Sequence, residues 1–124
     1  MFTFSRGERL KSRTLLSRLF REGNSYVAYP LRVVWLPVEP ADAGDFRVQV
    51  AVSVPRRAFK TAVARNRLKR RIREAYRLYK EKLYDKLSPA DRRLAMMLVY
   101  IAKEELPYAE IEKGVKKMVE KMPL

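Results

Sequence analysis

The sequence predicts an α+β protein, a two-layer α/β sandwich with the element order roughly α-β-β-(β)-α-β-α. Three observations carry this. The chain has 124 residues, the length of one domain, so residues 1–124 are expected to form a single unit. Hydrophobic residues make up 48% and charged residues 34%, enough apolar mass for a packed core. Apolar residues also switch along the chain between the helical period and the strand period, with extended segments lying between helical ones.

The elements follow in order. Residues 1–11 mix aromatics with Arg and Lys and read as an extended, flexible arm. Ser12 is a helix cap, and Leu15, Leu16, Leu19 and Phe20 form a stripe at helical spacing up to Glu22. Gly23 then stops the helix, read as a residue of positive φ past the cap. Residues 26–38 are β-branched and aromatic and read as one strand, with Pro30 and Pro37 at its start, a bulge or its end. After the turn-forming stretch EPADAGD, the residues Phe46, Val48, Val50, Val52 and Val54 alternate on one face of a second strand. The simplest pairing of these two strands is an antiparallel hairpin. Residues 61–84 form a long helix on Leu68, Ile72, Ala75, Tyr79 and Leu83, followed by a loop at Ser88-Pro89. The apolar run Leu94 to Ala102 fits a buried central strand or a buried helical segment. Past Leu106-Pro107 a last helix, 108–122, carries Ile111, Val115, Met118, Val119 and Met122 on one side, with Gly114 inside it.

Composition excludes much chemistry. The chain has neither Cys nor His. Disulfide scaffolds, thiolate or imidazole metal sites and Cys or His nucleophile-base pairs are therefore absent. Its four glycines are too dispersed for a phosphate-binding loop. The longest apolar run is nine residues, against about twenty for a spanning helix, and the N-terminus lacks the apolar core of a secretory signal. A cytoplasmic, non-membrane protein is expected.

Charge is the informative quantity. The net charge is +14, and residues 56–82 hold twelve Lys and Arg against two Glu, a net +10. On a helix, Asn66, Lys69, Arg70, Arg73, Arg77 and Lys80 fall within roughly one 100° sector, opposite the apolar stripe. Like charges four residues apart cost a free helix about 0.2–0.5 kcal/mol per pair. A face this nearly single-signed and rich in Arg points to a polyanion, because guanidinium groups bind phosphates bidentately. Asn66 either reads a base edge or 2′-hydroxyl, or makes a local cap contact. Tyr76 and Tyr79 fall toward the core. Phe20, Tyr26, Tyr29 and Trp35 either fill the core or line a cleft that stacks unpaired bases.

The segment Ala64-Arg-Asn-Arg-Leu-Lys-Arg-Arg-Ile-Arg-Glu-Ala-Tyr-Arg77 resembles the signature of the bacterial ribonuclease P protein family. In that signature an Arg-Asn-Arg triplet is followed by Lys-Arg and then Arg. Leu19 to Gly23, Val52 to Arg57 and Leu98 to Lys103 resemble flanking family segments, so the likeness runs through nearly the whole chain. It implies a sandwich with a left-handed βαβ crossover through the basic helix. It also implies the accessory protein subunit of an endoribonuclease that removes the 5′ leader of precursor tRNA. The partners would be a catalytic RNA and that leader, with no further protein required. Mg²⁺ would act through the RNA, and no catalytic or metal-ligating residue is expected in the chain.

Carried onto this sequence, the family's RNA-binding helix corresponds to Arg65, Asn66, Arg67, Lys69, Arg70 and Arg73, extended by Arg77 on the same charged run. The basic residues at the strand end correspond to Arg56 and Arg57, with Lys60 beyond them. The leader cleft corresponds to Phe20, to Leu16 where an aromatic is common, and to either Val34 or Trp35 on the strand. Glu104 and Glu105 depart from the family, whose members are often basic there. The main alternative is a structural, ribosomal-type RNA-binding protein without cleavage activity. A major-groove DNA binder, a membrane-surface helix and a protein-only nuclease explain less. The last of these lacks a carboxylate cluster for metal-assisted hydrolysis.

Overall fold

A computed structural model describes residues 8–39, 47–87 and 92–123. Its elements are α1 (Arg13–Glu22), β1 (Asn24–Ala28), β2 (Leu31–Pro37), β3 (Val48–Ser53), α2 (Ala62–Leu87), β4 (Leu94–Tyr100) and α3 (Tyr108–Lys121). The sequence LAMMLVY of β4 is apolar at consecutive positions, so both of its faces need cover. It occupies the interior of a four-stranded sheet ordered β1-β2-β4-β3. β2 pairs with it antiparallel and β3 pairs with it parallel. The parallel pair is joined through α2, as a crossover of this kind requires.

This arrangement corrects two expectations. The segment 26–38 is two strands rather than one. β1 and β2 form an antiparallel hairpin that turns at Tyr29-Pro30, whose peptide bond is cis. The strand at 48–53 does not pair with the strand at 31–37, because β4 lies between them and offers the doubly buried surface that both need.

The register sorts side chains onto two faces. Leu31, Val33, Trp35, Val48, Val50, Leu94, Met96, Leu98 and Tyr100 form the main core with α2 and α3. Leu36, Ala95 and Met97 point the other way and pack under Leu10, Leu15 and Leu19. The α+β class stands, with α1 as a partial layer on the face opposite the two longer helices. Ser12 caps α1 as expected, its Oγ accepting from Leu15 N–H at 3.3 Å. At the start of α2 the corresponding cap is Thr61, whose Oγ1 accepts from Ala64 N–H at 3.2 Å. Lys86 ties α2 to the end of α3 by donating to the carbonyls of Val119 and Glu120 at 2.7 and 2.9 Å. The expected loops at EPADAGD and Ser88-Pro89 lie largely outside the described residues, as does Phe46. Among the described residues no helix is long and apolar enough to cross a membrane.

Two glycines are explained by close approach. Gly23 has φ −66°, so its role is not a positive φ. A Cβ there would lie 2.9 Å from Val34 Cγ1 and closer still to the Leu19 carbonyl oxygen. Gly114 lets α3 cross the Tyr29-Pro30 turn, where a Cβ would lie 2.6 Å from Pro30 Cδ and 2.8 Å from the Tyr29 carbonyl oxygen. Gly114→Ala must therefore push helix and turn apart, despite the better helix propensity of Ala. Thermal denaturation should show a loss of about 1–3 kcal/mol. An unchanged or raised midpoint would mean that the contact relaxes freely.

Candidate nucleic-acid interface

The long helix α2 divides by periodicity. Leu68, Ile72, Ala75, Tyr76 and Leu83 are buried against the sheet and α3, and Tyr79 packs at their margin. Asn66 and Arg70 are exposed, while Lys69, Arg73 and Arg77 are partly exposed. At 100° per residue these five form one strip along the flank. Because Thr61 is the helix cap, Asn66 is left a full turn beyond it as an exposed amide among cations.

Arg65 organises the segment that precedes the helix. Its Nη1 donates to the carbonyls of Phe59 and Lys60 at 2.8 and 3.0 Å. Phe59 anchors the same segment from inside, edge-on to Tyr100 with ring centroids 5.6 Å apart. The exposed side chains of Arg56, Arg57 and Lys60 thus project from a turn anchored at Phe59 and Lys60. Arg56, Arg57 and Lys103 border an open hollow of about 860 Å³ floored by Pro55 and Ala58.

Arg67 leaves the strip for the opposite flank. Its Nε and Nη2 both donate to the Glu105 carboxylate, the second bond at 2.9 Å. Arg71 lies 3.5 Å from the same carboxylate and donates to the Leu106 carbonyl at 2.8 Å. Tyr100 holds this loop in place, giving its hydroxyl proton to the Glu104 carbonyl and accepting from Leu106 N–H. Glu105, noted from sequence as a departure, thus occupies one signature arginine. The Arg67 hydrogen bond holds the Glu105 carboxyl below the usual carboxylate range, against a smaller opposing effect of burial.

Lys80 does not join the strip, contrary to expectation. It is 3% exposed, and its Nζ donates to both carboxylate oxygens of Glu8 at 2.9 and 2.7 Å. The Tyr84 hydroxyl donates to the same carboxylate at 2.7 Å, and burial raises that phenol's pKa. The helical projection gave Lys80 a solvent direction, but Glu8 arrives from 72 residues away to cover it. Glu8 is itself 3% exposed. Leu10 N–H donates to the Val50 carbonyl at 2.9 Å, so this segment runs along the outer edge of β3. Residues 1–7 lie outside the described residues.

On the other side of the sheet, α1 covers only part of the surface. Phe20 is 72% exposed at its margin, and Leu16 and Val34 are partly buried beside it. Val99 and Ala51 continue this face across β4 and β3. Of Val34 and Trp35, Val34 is the one on this face. Trp35 is 9% exposed in the main core, because alternation turns it toward α2 and α3. Tyr26 shares that face and donates its hydroxyl to the Met118 carbonyl at 2.8 Å. Tyr29 is exposed at the turn beside α3. Of the four aromatics considered, Phe20 alone borders the α1-side surface. No group of three or more His, Cys, Asp or Glu side chains suited to a metal ion occurs among the described residues.

A small sandwich with an arginine-rich helical flank and a half-covered sheet face has the build of an RNA-binding protein. The ribonuclease P family profile matches residues 4–123, and the chain belongs to that family. A ribonuclease P protein component from Porphyromonas gingivalis is 39% identical over 119 residues, covering 94% of this chain and 83% of the relative. One from Herpetosiphon aurantiacus is 42% identical over 84 residues, covering 68% and 60% of the two chains. The fold matches the ribonuclease P protein of Thermotoga maritima with a TM-score of 0.72 at 19% identity, over 94% of this chain and 99% of that one. The Staphylococcus aureus protein gives 0.71 at 18%, over 91% and 93%. The chain is thus a protein subunit of a tRNA-processing ribonucleoprotein.

The Glu105 carboxylate occupies Arg67 and Arg71, so an anion binding there would have to displace it. Its depressed pKa keeps the pair intact above the ordinary glutamate range and loses it only as pH falls through the lower folded-state value. In a carboxylate NMR titration Glu105 should protonate below exposed glutamates, and Arg67→Ala should return it to the ordinary range. Glu105→Gln should raise affinity for structured RNA about two- to fivefold at neutral pH, in keeping with one modest ion pair. Equal dissociation constants for wild type and variant would show that the pair does not compete.

Proposed function

We propose that the chain binds the catalytic RNA of ribonuclease P and the 5′ leader of precursor tRNA. The observation that carries this is the exposed strip of Asn66, Lys69, Arg70, Arg73 and Arg77, continued through Arg65 to Arg56, Arg57 and Lys60. Such a surface attracts RNA phosphates and releases their counterions, so affinity falls steeply with salt. The α1-side surface at Phe20, Leu16 and Val34 takes the single-stranded leader by stacking and apolar contact, without reading its sequence. Hydrolysis belongs to the RNA and its Mg²⁺ ions. The protein's part is to hold two polyanions together and lower the Mg²⁺ needed to offset their repulsion. A chain without His or Cys suits that division of labour.

Cleavage of precursor tRNA at low Mg²⁺ by a bacterial ribonuclease P RNA tests this, with lysozyme as a basic control. Correct 5′ maturation should appear only with this chain, and equal cleavage without it would overturn the reading. Arg70→Ala and Arg73→Ala should each weaken RNA binding and lower the salt slope by about one. Phe20→Ala should weaken leader-bearing tRNA more than mature tRNA, by about 1–3 kcal/mol if one base stacks on it. An equal loss on both substrates would assign Phe20 to packing alone.

A further inference from the structure

The signature accounts for α2, yet a second group of cations gathers beside it from a part of the chain that no motif singled out. Arg9 and Lys11 come from the segment before α1, and Arg73 comes from α2. All three line one hollow of about 270 Å³ against Val50 to Val52 of the edge strand β3. We infer that this hollow is a phosphate site, and that it holds the backbone of a single-stranded RNA passing from the α2 strip to the α1-side surface. The inference rests on the proposed RNA-binding role and extends it to Arg9 and Lys11.

Three features support it. The position is right: Lys11 directly precedes Ser12, which caps α1, while Arg73 belongs to the α2 strip. The hollow therefore bridges the two surfaces around the edge of the sheet. The electrostatics suit an anion. Arg73 is partly buried, and desolvation together with the charge of Arg9 lowers its pKa. A phosphate, with several acceptor oxygens, relieves that repulsion and suits guanidinium geometry. The segment is also held from behind. Glu8 is clasped by Lys80 and Tyr84, and Leu10 is hydrogen-bonded to Val50, so Arg9 and Lys11 are placed by contacts on both sides. Lys80 is thus a positioning residue. It is buried away from any RNA and acts by holding Glu8, and through Glu8 the two cations.

The test is binding of the full-length protein to a short single-stranded RNA oligonucleotide and, separately, to folded ribonuclease P RNA, each across a salt series. Arg9→Ala/Lys11→Ala alters exposed side chains and should leave the thermal midpoint nearly unchanged. It should weaken the oligonucleotide about tenfold and lower its salt slope by one to two. Lys80→Met should weaken the oligonucleotide similarly. Glu8→Leu/Lys80→Met replaces the pair by apolar groups and should restore both folding stability and oligonucleotide affinity. If Lys80 touched RNA itself, that double variant would stay weak, which would overturn its positioning role. Unchanged oligonucleotide affinity in Arg9→Ala/Lys11→Ala would overturn the site, and a loss confined to the folded RNA would overturn its assignment to a single strand. Arg70→Ala separates this from the broader reading. If it weakens binding while Arg9→Ala/Lys11→Ala does not, only the present inference fails. If neither does, the RNA-binding reading fails as well.

Discussion

A strand that is apolar on both faces has to be covered on both, and β4 is such a strand. Its sequence leaves no polar position that tolerates water, so it lies inside the sheet with β2 and β3 on either side. One face is then closed by α2 and α3, and the other is partly covered by the short helix α1. Parallel pairing of β3 with β4 requires a long return path, and α2 supplies it. The two surfaces that matter follow from this. The outward flank of the crossover helix carries the cations. The stretch of sheet that α1 is too short to cover stays open beside Phe20.

The energetics of α2 are those of a helix held by its neighbours. Its exposed side has like charges in successive turns, which weaken an isolated helix. Burial of Leu68, Ile72, Ala75, Tyr76, Leu83 and Leu87 at near-zero exposure supplies the stabilisation that charge removes. At about 1.5–3 kcal/mol for each large apolar side chain, this outweighs several pairs of like charge at a few tenths each. The helix therefore tolerates a surface that free peptides avoid, and the cations stand preorganised along it. Lys86 reinforces the arrangement from the far end by satisfying carbonyls of α3.

Carboxylates divide the arginines and lysines into distinct groups. Glu105 reaches back to Arg67 and Arg71, Glu74 pairs with Arg77 within the helix, and Glu8 is consumed by Lys80 and Tyr84. Two of these pairs are partly open to solvent. The third is buried, where removal of one partner strands the other charge. The same interaction type thus occupies arginines at the surface and fixes a chain segment in the interior.

The sequence by itself determined the fold class, the charged helix and the family. Apolar period and cap chemistry are local, so Ser12 and the stripe on α2 were legible without coordinates, whereas Leu94 to Tyr100 was legible only as a buried apolar segment, strand or helix. So was the strip of Lys69, Arg70, Arg73 and Arg77, because a single helix sets its own geometry. What depends on distant partners was decided only by the tertiary structure. Strand alternation says that Val34 and Trp35 face opposite ways, but only the positions of the three helices say which way is core. Lys80 projects outward by helical arithmetic, and Glu8, 72 residues earlier, makes it interior. Gly114 looks like a weak point in a helix until the Tyr29-Pro30 turn lies against it. In each case the deciding contact joins residues far apart in sequence, and no local pattern encodes which of them will meet.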